Sequence, residues 1–91
     1  METNENPLNS RQSKTLARIL DSSGSVKAEE LESLLFALGF TPLKHGGSSV
    51  RWRSDRYGTL QTHWPHKHLH EVPLGMKTRI AKFFREKGIT P

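Results

Sequence analysis

The spacing of apolar side chains divides the chain into two regimes. Leu16, Ile19 and Leu20 share one helical face, which predicts a first helix starting at Ser10 or just before it, since serine is a favoured helix-capping residue. Asp21-Ser22-Ser23-Gly24-Ser25 breaks the pattern. Leu31, Leu34, Leu35 and Leu38 then recur at i, i+3, i+4 and i+7, with Glu29, Glu30 and Glu32 at the end where the helix dipole favours acidic groups. Gly39 is placed to end this helix in a left-handed conformation.

Beyond Phe40-Thr41-Pro42 the period drops to two. Leu43-Lys44-His45 reads as a short strand, Gly46-Gly47 as a turn, and residues 49–53 as a second strand with Val50 and Trp52 on one face and Arg51 and Arg53 on the other. Residues 54–58 form a hairpin loop ending in glycine. The return strand, residues 59–64, turns Leu60, Thr62 and Trp64 one way and Gln61 and His63 the other. If the apolar faces of both strands meet the helices, His63 shares an open face with Arg51 and Arg53. Residues 65–72 read as a polar loop. A last helix opening around Pro73 carries Met76, Ile80, Phe83 and Phe84 toward the core until Gly88, with Lys77, Arg79, Lys82, Arg85 and Lys87 on its other faces. The order helix, helix, three strands, helix predicts an α+β sandwich: a small antiparallel sheet with helices on one face.

Length makes this one domain, residues 10–91, behind a disordered leader at 1–9. With 91 residues, 33% apolar, and a mean hydropathy of −0.66, the core is thin and a large enclosed cofactor pocket is not expected. No cysteine is present, which excludes disulfides, thiolate metal sites and cysteine nucleophiles. No apolar stretch reaches membrane-spanning length and the first residues do not read as a signal peptide, so a cytoplasmic protein without membrane association is expected.

Charge sharpens the picture because it is unevenly spread. Residues 1–40 hold four basic and six acidic groups, a net of −2, whereas residues 41–91 hold ten basic and three acidic, a net of +7. All five histidines fall between His45 and His70. The basic half thus joins fixed positive charge to groups that titrate near neutral pH, and a polyanion is the expected partner, either nucleic acid or an acidic protein surface.

Arg51, Arg53, Arg56 and Lys67 are the candidate phosphate contacts. The bland reading of such residues is as guards against strand pairing at a sheet edge. His63 and His66 flank Trp64-Pro65 at the end of the third strand, beside Arg51 and Arg53. If the polyanion were RNA, cleaving it without a metal would require a base near the 2′-hydroxyl, an acid near the leaving oxygen and positive groups around the phosphate. These two histidines are candidates for the proton transfers, and solvated surface imidazoles are the alternative. The run His63-x-x-His66-x-His68-x-His70 invites a metal reading. It lacks a cysteine, has Glu71 as its only nearby carboxylate, and is interrupted by Pro65, so neither metal nor other cofactor is expected. Trp52 and Trp64 alternate with the polar positions and read as core more readily than as base-stacking groups.

From Leu31 to Ile89, about 59 residues, the chain resembles the HicA toxin family, the RNA-cleaving components of HicA/HicB toxin–antitoxin modules. The features carrying the resemblance are Ala37-Leu38-Gly39-Phe40 closing a leucine-rich helix, the Gly47-Ser48 step into the second strand, Pro65-His66 after the third, and Gly88-Ile89 ending the last helix. The leader and extra helix, with His63-Trp64-Pro65-His66, look like a longer branch of that family. The resemblance implies the fold of double-stranded-RNA-binding domains, α-β-β-β-α, with an additional N-terminal helix. It further implies endoribonuclease activity on messenger RNA, with Ser48 and Ser49 near the RNA, and a HicB-like antitoxin as protein partner. His66 occupies the family's Pro-His position. One position departs: the family keeps a histidine directly after Gly-Ser, and this chain has Ser49, whose hydroxyl is a poor near-neutral proton acceptor. Two further readings therefore stand beside a toxin. One is a non-catalytic RNA-binding module of the same fold. The other is a protein-interaction module whose partner is acidic, with the stripe Leu16, Ile19 and Leu20 covered either by this core or by another chain.

Overall fold

The computed structural model describes residues 8–21, 24–44, 49–63 and 71–91. Among these residues it contains three helices and one sheet: α1 (Ser10–Asp21), α2 (Ala28–Ala37), β1 (Thr41–Lys44), β2 (Ser49–Ser54), β3 (Gly58–His63) and α3 (Leu74–Glu86). The strands pair antiparallel in the order β1-β2-β3. This is an α+β architecture compatible with an α-β-β-β-α layout preceded by one more helix.

Local chemistry accounts for the helix ends. At the start of α1 the cap is Asn9, the residue just before Ser10. Its side-chain oxygen accepts the Gln12 N–H at 2.8 Å, while the Gln12 side chain accepts the Asn9 N–H at 3.0 Å, a reciprocal box that satisfies two otherwise orphaned donors. The last helix begins one residue later than its proline, Pro73 being the cap itself. Both α2 and α3 end in one and the same motif. Gly39 (φ +94°) and Gly88 (φ +73°) take the left-handed conformation, and the next residue's N–H reaches back five positions: Phe40 to the Leu35 carbonyl and Ile89 to the Phe84 carbonyl, each at 2.9 Å. Phe40 and Ile89 are both buried, so each motif turns the departing chain straight into the core.

The core is assembled by the residues whose periodicity announced it. Leu16 and Ile19 of α1, Leu31, Leu34 and Leu35 of α2, and Ile80 and Phe84 of α3 are fully or almost fully buried. They meet Trp52 and Leu60 from the inner face of the sheet. Each such side chain contributes about 1.5–3 kcal/mol relative to exposure. Of the stripe on α1, Leu16 and Ile19 are buried in this core and Leu20 packs against it half-buried, so the chain's own core covers most of that stripe. The link before α2 and the segment before α3 are stitched together, with a bridge pairing Lys27 with Glu71 and the Val72 N–H donating to the Val26 carbonyl at 2.8 Å.

Two expectations are corrected. The first strand runs from Thr41 to Lys44, beginning two residues early and including Pro42; β1 lies at the sheet edge, where a missing N–H costs no ladder bond. Lys77, placed on a face of the last helix away from the core, is 7% exposed. Its aliphatic stem lies in the core and its Nζ donates to the Gly24 carbonyl at 2.8 Å, the arrangement a long amphipathic side chain permits. His45, Gly46, Gly47, Trp64 and the loop as far as His70 lie outside the described residues.

Candidate nucleic-acid interface

The site begins with the pleat. In β2, Trp52 and Ser54 are buried while Arg51 and Arg53 are exposed; in β3, Leu60 and Thr62 are buried while Thr59, Gln61 and His63 are exposed. The register places Arg51 between Leu43 and Gln61, Arg53 between Thr41 and Thr59, and position 49 opposite His63. Cross-strand partners share a face, with Cβ atoms about 4.5–5.5 Å apart. The outer face therefore carries two arginines in its centre, a histidine at one end, and threonine, glutamine and leucine around them. Among the described residues it holds no carboxylate and no phenylalanine, tyrosine or tryptophan.

The inner face fixes that register. Trp52 and Thr62 are both buried, and the indole Nε1–H donates to Thr62 Oγ1 at 3.1 Å across the β2–β3 pair. A one-residue slip would break this bond and turn the arginines inward. The Phe36 ring meets Trp52 edge-on, with centroids 5.4 Å apart.

At the opposite end from His63, the hairpin tip is built by Ser54, whose buried hydroxyl oxygen accepts the N–H groups of both Arg56 and Tyr57 at 3.1 Å. Gly58 (φ +91°) closes the turn. Arg56 is exposed, and its guanidinium carbon lies 5.4 Å from the centre of the Tyr57 ring.

Electrostatically the two sides of the molecule differ. The ion pair present among the described residues, Arg18 with Glu30 at 3.4 Å, belongs to the helical side. There the Lys27 backbone N–H, donated to Glu30 Oε1 at 2.9 Å, holds the Glu30 carboxyl below its ordinary range; the Arg18 guanidinium adds to this, and together they outweigh partial desolvation. Arg51, Arg53 and Arg56 form no ion pair with another described residue.

Of the residues singled out from the sequence, Arg51, Arg53 and His63 are brought onto one face and Arg56 to the hairpin tip. Ser49 is described only through its backbone, paired with His63. Ser48, His66 and Lys67 lie outside the described residues. No group of three potential metal-ligating side chains converges among the described residues, of which His66, His68 and His70 are not part. Lys87, close to the hairpin, was not distinguishable in the sequence from the other basic residues of α3, because its neighbours are set by tertiary packing.

Compared with models of known protein families, with curated proteins and with solved structures, the chain matches none. No helix among the described residues is long and apolar enough to cross a membrane.

Proposed function

We propose that the chain is a HicA-like toxin that binds messenger RNA across the outer face of its sheet and cleaves it by metal-independent acid/base chemistry. On this reading α2, the three strands and α3 form a double-stranded-RNA-binding-domain-like fold, with α1 added to its back. The observation that carries the proposal is the pairing of position 49 with His63. The resembled family keeps its histidine at the position of Ser49. Here the cross-strand partner of that position is itself a histidine, on the same face, one strand over and beside Arg51.

The chemistry follows from these groups. One imidazole removes the 2′-hydroxyl proton, the 2′-oxygen attacks the adjacent phosphorus, and the 5′-oxygen departs with a proton from a second imidazole. The products are a 2′,3′-cyclic phosphate and a 5′-hydroxyl. His63 and His66 share the two proton transfers, and Arg51 and Arg53 stabilise the charge that develops on the phosphoryl oxygens. Ser48, Ser49 and Lys67 contribute contacts along the bound strand. A HicB-like antitoxin with an acidic surface neutralises the protein by covering the same face, and the module acts in the cytoplasm.

The test is incubation of the pure protein with RNA at low salt, with and without EDTA, alongside His66→Ala and His63→Ala. Cleavage that survives EDTA and is lost in the variants supports the proposal, while unchanged cleavage in His66→Ala removes that residue from the mechanism. Ser49 itself favours a second reading, a non-catalytic RNA-binding module. It predicts salt-sensitive RNA binding without product, and appearance of cleavage in Ser49→His.

A further inference from the structure

The basic residues of α3 and its C-terminal end do not face the same way. Lys77 is buried on the Gly24 carbonyl, and Arg85 donates to the Leu20 carbonyl, so both serve the contact with α1. Arg79 and Lys82 are exposed on the outward side of the helix. Lys87 is different. It stands one turn beyond Phe83, with its ammonium 5.7 Å from the centre of that ring, and 4.0 Å from where a Cβ on Gly58 would lie. It therefore sits over the start of β3, at the hairpin end of the sheet.

Arg56 occupies the tip of that same hairpin, over Tyr57. Tyr57 in turn stacks on Phe40 with centroids 6.0 Å apart, and Phe40 meets Phe83 at 6.1 Å. One row of aromatic rings thus runs from β-hairpin to helix and carries a cation over each end. A ring face orients the cation above it, and Ser54 fixes the backbone beneath Arg56. Both charges are held in place before any ligand arrives, which lowers the ordering cost of binding an anion. Neither forms an ion pair with another described residue.

Arg56 stands at the hairpin end of the outer face, and Lys87 comes to that same end of the sheet from the helical side. Arg53 lies at the hairpin end of β2, paired with Thr41 and Thr59, and Arg56 follows it three residues later. We propose that Arg56 and Lys87 form a second phosphate clamp, reached by an RNA strand that leaves the sheet face across the β2–β3 hairpin. The inference rests on the RNA-binding reading above. It defines the substrate as a polymer held by its backbone. From Arg51 to the start of the turn the sheet spans on the order of 10 Å, against about 3.4 Å per nucleotide in a stacked strand, so a stacked ligand needs about four nucleotides to engage both places.

The experiment measures affinity of the full chain for a fluorescently labelled RNA of about twelve nucleotides across a salt series, and for a dinucleotide at the lowest salt. Arg56→Ala and Lys87→Ala should each reduce the slope of log affinity against log salt by about one unit, and the double variant by about two. Lys82→Ala, on the outward face, should leave the slope unchanged, and the charge-preserving pair Arg56→Lys and Lys87→Arg should retain it. Dinucleotide binding should be the same in the double variant as in the wild type. The clamp is refuted if the wild type binds RNA and the double variant keeps the slope of Lys82→Ala, or if dinucleotide and longer RNA lose affinity alike. Absence of any RNA binding by the wild type overturns the proposed function along with it, a result distinct from either of those.

Discussion

Replacing Thr62 with valine tests the buried bond that holds the two arginine-bearing and histidine-bearing strands in register. The substitution preserves shape and removes one hydroxyl. In the wild type that hydroxyl accepts the Trp52 indole N–H at 3.1 Å, in a place where Thr62 is 0% and Trp52 3% exposed. Water cannot replace the lost partner there without entering the core, so the indole donor keeps its desolvation penalty. An orphaned buried donor costs about 1–3 kcal/mol, a sizeable share of the roughly 5–14 kcal/mol expected for a domain of this length. With a urea dependence of about 1–1.5 kcal/mol per molar for so small a protein, the unfolding midpoint, followed by circular dichroism, should fall by about 0.7–3 M. The same substitution made in a Trp52→Phe background should cost much less, because no indole donor is left to orphan, giving a coupling of about 1 kcal/mol in the double-mutant cycle. If Thr62→Val lies within about 0.3 kcal/mol of the wild type, or costs as much in the Trp52→Phe background as in the wild type, the indole–hydroxyl bond does not hold the register.

Two further outcomes follow from the helix ends. Gly39→Ala should destabilise by about 1–2 kcal/mol, read from the urea midpoint, because its φ of +94° is unfavourable for any residue with a Cβ while nothing within 4 Å would touch the added atom; strain is thus the whole effect, and Gly39→Asn should recover part of it. The Glu30 carboxyl is held below its ordinary range by the Lys27 N–H and Arg18, so its stabilising contribution is fully present above the unfolded-state value of about 4.3 and is lost as pH falls through the lower folded value. Urea midpoints of wild type and Glu30→Gln should accordingly differ by an amount equivalent to under about 1 kcal/mol at neutral pH and converge in acid; a gap that widens in acid would contradict the assignment.

The sequence was most legible where one side chain's fate depends on its own strand or helix. The alternation from Val50 to Arg53 and from Leu60 to His63 needs only the pleat, and both strands obey it. Leu31, Leu34 and Leu35 needed only helical spacing, and Gly39 and Gly88 only their left-handed conformation. What was not legible depends on partners distant in the chain. Lys77 reads as a polar position because its charge is visible in the sequence, whereas the carbonyl of Gly24 that receives it is brought there by packing. Pro42 reads as a strand breaker until β1 is known to be an edge. Asn9 and Ser10 are both capping residue types, and Gln12, three residues after Asn9, decides between them. The cation over Phe83 and the one over Tyr57 come to opposite ends of one row of rings only when α3 lies against the hairpin.

The two donors that α3 sends to the end of α1 and the link after it, Lys77 to Gly24 and Arg85 to Leu20, span 53 and 65 residues of chain. Contacts this far apart in sequence form late, because a long loop must close before they give anything back. During synthesis α1 emerges early and remains without these partners until residues 77 to 85 have been made. The sheet waits on the same helix, because its inner face is closed only when Ile80 and Phe84 meet Trp52 and Leu60. The arginines of the outer face are therefore held in order only once the last helix has been made, and a chain stopped short of α3 should present neither a closed back nor an ordered face.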